Sequence, residues 1–251
     1  MRVTFLGTGT SRGVPVIGCE CRVCRSDNAR NRRLRCSALI EADVTVLIDT
    51  SSDFRQQMLV QNVKHLDAVV YTHHHADHVL GMDDLFPLTA RSSRALPVYA
   101  DSQTMGELKV TFRHMFNNSG YGGVARIQPN EITGAFSIGS LKFEPIRLFH
   151  GKMPILGFRV GRFAYLTDVS HIPEESIAKL NDLDYLVLDG LRYRPHPTHF
   201  SIDQALEAAG KIGAKQTLLI HMSHDVDHDE GNAALPEGVE LAYDGLQIQL
   251  T

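Results

Sequence analysis

The chain reads as an α/β protein built from two packed β-sheets with helices on the outside. Three observations predict this. Short apolar strands recur along the whole length and alternate with polar or amphipathic stretches. Several of these strands run directly into a histidine or an aspartate, the layout of a site assembled along one edge of a sheet. The 251 residues are 43% hydrophobic and 22% charged, enough to bury a substantial core. No internal repeat and no long linker interrupts the pattern, so residues 1–251 are expected to form a single domain.

The elements follow in order. Residues 2–6 form a first strand and enter a loop over residues 7–18 that is rich in Gly, Ser and Pro. An arginine-rich segment from Arg22 to Arg35 leads to a hairpin of Cys36–Ala42 and Val44–Asp49 that turns near Ala42-Asp43. Asp53–Gln61 is polar and amphipathic, hence helical. Asp67–Thr72 is a short buried strand, Leu80–Thr89 a helix and Ala95–Ala100 a strand. Residues 101–135 begin as a helix and continue into Asn117–Gly123, N-N-S-G-Y-G-G, a flexible stretch by composition; the whole is a candidate lid or dimer segment. Strands return at Ser140–Arg147, Ile155–Val160 and Arg162–Thr167, with glycine turns between them. Pro173 sits at the first turn of a helix over Glu174–Leu180. Asp184–Asp189 is a strand, and Ser201 with Gln204 forms a capping box for a helix over Ser201–Ile212. Gln216–Ile220 is the next strand, and Val239–Leu250 reads as a final hairpin.

Charge and composition exclude some classes. A net charge of −4 and a pI near 6.3 leave no overall basic footprint for nucleic acid. The N-terminus, M-R-V-T-F-L-G-T-G-T, has no long apolar stretch of a signal peptide, and no run of eighteen apolar residues suggests a membrane span. Three of the four cysteines lie too close together to staple a fold. A soluble, cytoplasmic protein is expected.

The chemistry concentrates in T-H-H-H-A-D-H, residues 72–78. His73, His75, Asp77 and His78 crowd four metal donors into less than two helical turns, at the end of an apolar strand. Further donors follow later strands: His150, Asp168 and His221. Seven donors exceed what one tetrahedral ion can use, so two metal ions are the economical reading. His74, between two donors, is expected to point away from them. Asp49, at the end of L-I-D-T, is expected to hydrogen-bond a ligand histidine from behind. A second cluster, Cys19, Cys21 and Cys24, leaves tetrahedral zinc one ligand short. H-M-S-H places His224 three residues after His221, and His224 is the expected fourth ligand. Cys36 opens an apolar strand and reads as a small buried residue. Gly7-Thr8-Gly9 lacks the G-K-[ST] of a phosphate loop, and its glycines read as a tight turn.

H-x-H-x-D-H, followed by a lone His, a lone Asp and a lone His, resembles the metallo-β-lactamase superfamily of dinuclear hydrolases. The resemblance implies a four-layer αββα sandwich. It implies His73, His75 and His150 on one metal, Asp77, His78 and His221 on the other, and Asp168 bridging both. It further implies two divalent ions about 4 Å apart whose shared water becomes a bridging hydroxide at neutral pH. Manganese or zinc suits these donors, and iron is compatible. The opening G-T-G-T-S-R-G-V-P-V-I-G-C-E-C-R-V-C, with the later H-M-S-H, resembles the PhnP-type branch. Those relatives are phosphoribosyl cyclic phosphodiesterases with a separate structural zinc. The resemblance therefore implies a small cyclic or nucleotide-like phosphodiester as substrate.

By the same resemblance His199, in P-H-P-T-H-F-S, is the general acid. Asp77, whose loss should abolish activity, is the other catalytic candidate, and His196 ranks below His199. Ser11, Arg12, Arg35, Ser37 and Arg194 are phosphate-contact candidates by type alone. Three alternatives remain: a nuclease for RNA or DNA ends of the tRNase Z kind, a thioester or lactone hydrolase, and a metal-bearing binding protein. Nucleic acid is not favoured as partner, a membrane is not expected, and homodimers are common among such relatives.

Overall fold

The structure is a computed structural model that describes residues 1–90, 94–116 and 123–250. The first half of the chain lays down β1 (Arg2–Gly7), β2 (Ser37–Glu41), β3 (Thr45–Ile48), β4 (Ala68–Val70), β5 (Leu96–Ala100) and β6 (Ile127–Glu131). The second half lays down β7 (Phe136–Ile138), β8 (Leu141–His150), β9 (Met153–Val160), β10 (Phe163–Leu166), β11 (Tyr185–Asp189), β12 (Gln216–Ile220) and β13 (Val239–Leu241). A last strand, β14 (Gln247–Gln249), crosses back to pair with β1. Two seven-stranded sheets result, ordered β14-β1-β2-β3-β4-β5-β6 and β13-β12-β11-β10-β9-β8-β7.

Central strands have two buried faces because each sheet has a partner sheet on one side and helices on the other. One face of each meets the other sheet: Phe5, Ile40 and Val70 pack with Phe143, Phe158 and Val187. The outer face of the first sheet is covered by α1 (Phe54–Val60) through Phe54 and Met58, and later by α4 (Ser102–Thr111) through Met105 and Leu108. On the second sheet α7 (Ile202–Ile212) lays Ile202, Ala205, Ala209 and Ile212 over Leu186, Leu188 and Leu219. Its predicted capping box is present, with Gln204 N–H donating to Ser201 Oγ at 3.3 Å and Ser201 N–H donating to Gln204 Oε1 at 2.9 Å. The layers are helix, sheet, sheet, helix, as expected.

Several elements differ from expectation. Residues 80–89 are a 3-10 turn over Leu80–Leu85 followed by the single turn α3 (Phe86–Thr89). Pro87 has no N–H to continue a helix, and Gly81 is wedged so closely against α1 that a Cβ would lie 2.4 Å from that of Phe54. The final hairpin does not exist. β13 runs parallel to β12 in the second sheet, whereas β14 is antiparallel to β1 in the first. The turn explanation for Gly7 and Gly9 is also corrected. Their need is close approach: a Cβ on Gly7 would sit 2.0 Å from the Arg35 carbonyl oxygen, and one on Gly9 2.8 Å from the Arg33 Cβ. Thr8 and Thr10 separately tie this segment to the loop after β12, with Met222 N–H donating to Thr8 O at 3.0 Å and Thr10 N–H to Met222 O at 3.1 Å. In the segment 101–135, α4 and α5 (Arg113–Phe116) cover the first sheet and β6 forms its edge. Of Asn117–Gly123, only Gly123 lies within the described residues. No described helix is long and apolar enough to cross a membrane.

Candidate metal centre

β4 ends at Val70, and the chain leaves the sheet through Tyr71 and Thr72 into the histidine run. One helical turn, α2 (Ala76–Val79), follows with His75 at its N-cap. That turn brings Asp77 and His78 back toward the sheet. His78 Nε2 lies 3.3 Å from Asp77 Oδ2 and 3.2 Å from Asp168 Oδ1. From the second sheet, His221 Nε2 lies 3.2 Å from Asp168 Oδ2 and 3.8 Å from Asp77 Oδ2. Asp77, His78, Asp168 and His221 thus form one cluster of converging donor atoms. Beside this cluster the rings of His73, His75 and His150 meet, with centroids 4.7, 5.0 and 5.9 Å apart, and His73 also meets His78 at 4.2 Å. His73 Nε2 is 4.0 Å from Asp168 Oδ2. The Asp168 carboxylate thus lies within 4.0 Å of histidines from both groups. His74 contributes to neither.

The donors fit metal ions on three grounds. First, three of the five rings are held from behind. His78 Nδ1 donates to Asp49 Oδ2 at 2.8 Å, His150 Nδ1 to the Asp168 carbonyl at 2.9 Å, and His73 Nδ1 meets Thr72 Oγ1 at 3.0 Å. The hydrogen bond expected of Asp49 is present. Second, the Nε2 atoms of His73, His78 and His221 are buried with no hydrogen-bond partner. Leaving such atoms unsatisfied costs about 1–3 kcal/mol each, a loss that a bound cation removes. Third, the field calls for positive charge. Burial alone would lower the pKa of His78, but Asp168, Asp77 and Asp49 outweigh it and hold that group well above the ordinary value. Burial raises Asp77 and Asp168, yet the surrounding imidazoles pull both below the usual carboxylate range. His73, by contrast, is pushed well down by burial and by His78.

His199 lies over this cluster. Its ring stacks on His221 at 4.7 Å and meets His150 edge-on at 4.5 Å. His199 Nδ1 is 2.7 Å from Asp189 Oδ2, a fully buried carboxylate at the end of β11. Burial disfavours the charged form of both partners, lowering His199 and raising Asp189. The only signal of Asp189 in the sequence is an acid ending the apolar strand Y-L-V-L-D, the pattern that marks Asp49. His196 lies 5.2 Å from His199, ring to ring, and is bonded to Thr198.

Cys19, Cys21, Cys24 and His224 also converge. The three sulfurs lie 3.2, 3.4 and 3.5 Å from His224 Nδ1. A tetrahedral zinc with bonds of about 2.3 Å to sulfur and 2.0–2.1 Å to nitrogen has S···N edges of about 3.5 Å, so the four atoms fit one ion. Backbone N–H groups of Val16 and Cys24 point at Cys24 Sγ and Cys21 Sγ. The Cys24 amide is the main reason that the Cys21 thiol is lowered to about 6. Cys36 is buried and donates to the Gly9 carbonyl, away from this cluster.

A cavity of about 310 Å³ lies between the two donor sets, bordered by His199 on one side and His224 on the other. Ser11 and Arg12 line it, and so does Arg192, which was not among the phosphate-contact candidates. Arg35 is instead paired with Asp53 at 2.8 Å, and Ser37 donates to the carbonyls of Ile48 and Asp49.

Residues 44–222 match the family model described as the beta-lactamase superfamily domain. A solved structure described as a new diphosphatase from the PhnP family is 43% identical, with a TM-score of 0.94 over 100% of this chain and 98% of the other. An octanoyltransferase of Porphyromonas gingivalis is 42% identical over 98% of this chain; the chain spans about half of that relative, 51% of its length. Zinc-bound PqqB of Methylobacterium extorquens shares the fold at 20% identity, with a TM-score of 0.79 over the full length of both chains.

Proposed function

The chain belongs to the beta-lactamase superfamily, in its PhnP-like branch, and is a metal-dependent hydrolase; from that premise we propose that it cleaves a phosphorus–oxygen bond in a small phosphodiester or diphosphate. The observation that carries this reading is His199, braced by Asp189 and set directly against His150 and His221. In the proposed site His73, His75 and His150 would hold one divalent ion, Asp77, His78 and His221 would hold a second, and Asp168 is near enough to serve either. Manganese or zinc suits these donors, and zinc suits Cys19, Cys21, Cys24 and His224. Bound there, the two ions supply Lewis acidity toward water and toward the phosphoryl oxygens.

The protein's own groups supply the rest. Asp49 and Thr72 keep His78 and His73 in the tautomer that presents Nε2 inward. Asp189 keeps the His199 ring fixed, and Nε2–H of His199 donates a proton to the departing oxygen. This matters most when the leaving group is a sugar alkoxide, as in a cyclic phosphodiester. It matters less when a phosphate leaves, as in the diphosphate reading, which the 43%-identical diphosphatase structure favours. The name of the Porphyromonas gingivalis relative suggests acyl transfer instead. Acyl transfer through a thiol or amine nucleophile lacks support at this site: among the described residues no cysteine or lysine lines the cavity, and Cys36 is sealed in the core.

Purified protein is expected to carry about three metal ions per chain and to hydrolyse bis(p-nitrophenyl) phosphate. Thioester hydrolysis without any phosphoryl cleavage would reject the reading. His199→Ala should slow an alkoxide-leaving substrate by about 10²–10⁴-fold and a nitrophenyl ester by less than about tenfold. Equal losses on both would remove the acid from His199.

A further inference from the structure

We propose that Arg33 is a positioning residue that sets the H-M-S-H turn and thereby couples the thiolate cluster to His221 among the histidine and aspartate donors. This rests on the metal-holding part of the proposed function and not on phosphoryl cleavage.

Arg33 is a large side chain only 1% exposed. Its main chain belongs to the thiolate loop. Arg33 N–H donates to Val14 O at 2.7 Å, and Val14 N–H donates to Arg33 O at 2.8 Å. Val14 in turn packs on Val23 and Cys24. The side chain reaches across to the loop after β12. Nη1 donates to the Ser223 carbonyl at 3.1 Å, and Nη2 to Asn31 Oδ1 at 3.4 Å. Ser223 lies inside the turn that begins with His221 and ends with His224. Its own N–H donates to Leu191 O at 2.8 Å, so the turn is gripped from both sides.

Stability alone does not explain a cation at this place. Arg33 forms no ion pair among the described residues. Asp227 and Asp244 act on it from a distance, and Asp244 already accepts from Thr8 Oγ1 and Leu34 N–H. The Nε atom has no hydrogen-bond partner. Burial lowers the group to about 10, so it stays charged at neutral pH. Taking an unpaired ion out of water is costly, and an apolar side chain would fill the same space at less cost. What the guanidinium adds is direction, a rigid fork aimed from one loop at a single carbonyl of another. His221 holds a φ of 60°, a conformation that persists only where its surroundings over-determine it. Arg33 supplies part of that determination: the thiolate loop fixes its backbone, and its guanidinium carries that position to the turn.

The test is a double-mutant cycle read by manganese(II) binding at the histidine and aspartate donors, with the free ion counted by electron paramagnetic resonance. Manganese favours nitrogen and oxygen donors over thiolates, so it does not report the cysteine cluster. Proteins that keep Cys24 carry one equivalent of zinc, and Cys24→Ser proteins are first stripped of metal. With Arg33 present, Cys24→Ser should raise the manganese dissociation constant about tenfold; in Arg33→Met the same change should raise it less than about twofold. Arg33→Met alone should raise it about tenfold, and Arg33→Lys, which can still donate to Ser223 O, should raise it less. An Arg33 that serves folding alone gives the same factor for Cys24→Ser in both backgrounds, and that result overturns the proposal. A manganese affinity unmoved by Arg33→Met overturns it too. If Arg33→Met does not fold, Arg33→Lys takes its place in the cycle: a diminished factor for Cys24→Ser supports the coupling, and an undiminished one rejects it. Failure to hydrolyse any phosphate ester would reject the proposed function, while the manganese cycle would still decide the role of Arg33.

Discussion

Asp49, Asp168 and His221 all adopt positive φ, at 60°, 57° and 60°. Each lies just past the end of a strand, β3, β10 and β12 respectively. Residues other than glycine hold such a conformation at a cost of about 1–3 kcal/mol, so three at one site mark strain retained for positioning. Asp49 shows what the strain achieves. It accepts from Thr72 N–H, Thr72 Oγ1 and His78 Nδ1, all at 2.8 Å, and so ties the exit of β4 to α2. Asp49→Asn should weaken binding of the ion at Asp77, His78 and His221 by about 10–100-fold, as read by competition with a chromophoric chelator. An unchanged affinity with a lowered melting temperature would confine Asp49 to folding. The converging cluster is legible in the sequence because four of its donor-type side chains crowd into residues 73–78. Asp189 is not, because one acid ending an apolar strand is also an ordinary cap. Its partner His199 is ten residues away, across a turn that spacing does not reveal.

Periodicity exposes elements that bury one face in a regular way, and α7 is the clear case, capped by Ser201 and ended by Gly213 at φ 70°. Alternation cannot say which sheet a strand joins. V-E-L and Q-I-Q look like two arms of one hairpin yet pair with opposite sheets. α8 (His228–Ala234) leaves no periodic signal because H-D-E-G-N-A-A has no apolar stripe. It is held by polar devices: Asp227 caps its start, and Asn232 accepts from Leu241 N–H at 2.8 Å. Asn232 Nδ2 also approaches His228 Nε2 at 3.0 Å, a bond that needs this nitrogen unprotonated. Burial, with Arg30 and Arg33 nearby, lowers His228 to about 4, and a cation in the first helical turn would also oppose the helix dipole. The unfolded chain therefore takes up this proton first, at its ordinary value near 6.5. Stability is full above that value and falls as pH drops toward 4. Between pH 7 and 5 the loss from this one group should be about 2 kcal/mol. Urea unfolding of the parent and His228→Gln at both pH values checks it: the difference between them should shrink at pH 5, and parallel losses would refute it.

The two sheets meet at their apolar faces, but the donor set also joins them. His73, His75, Asp77 and His78 leave the first sheet after β4, whereas His150, Asp168 and His221 come from the second. Cys19, Cys21 and Cys24 belong to the loop after β1, and His224 follows β12, so the thiolate cluster is a second tie across the same seam. Ions at these places would bind the folded chain and have no preformed site in the unfolded one, so their binding energy would add to folding. An ion present at about 1,000 times its dissociation constant contributes about 4 kcal/mol. For a domain of this size that is roughly 8–16 °C in melting temperature. Chelation of the purified protein should therefore lower its melting temperature by at least this amount, and added zinc or manganese should restore it with a concentration dependence. Cys24→Ser should remove one part of the restorable shift and leave the part owed to the histidine and aspartate donors. A melting temperature that does not move on complete removal of metal would mean that packing alone holds the sheets together, and that the unsatisfied nitrogens of His73, His78 and His221 are tolerated without a cation.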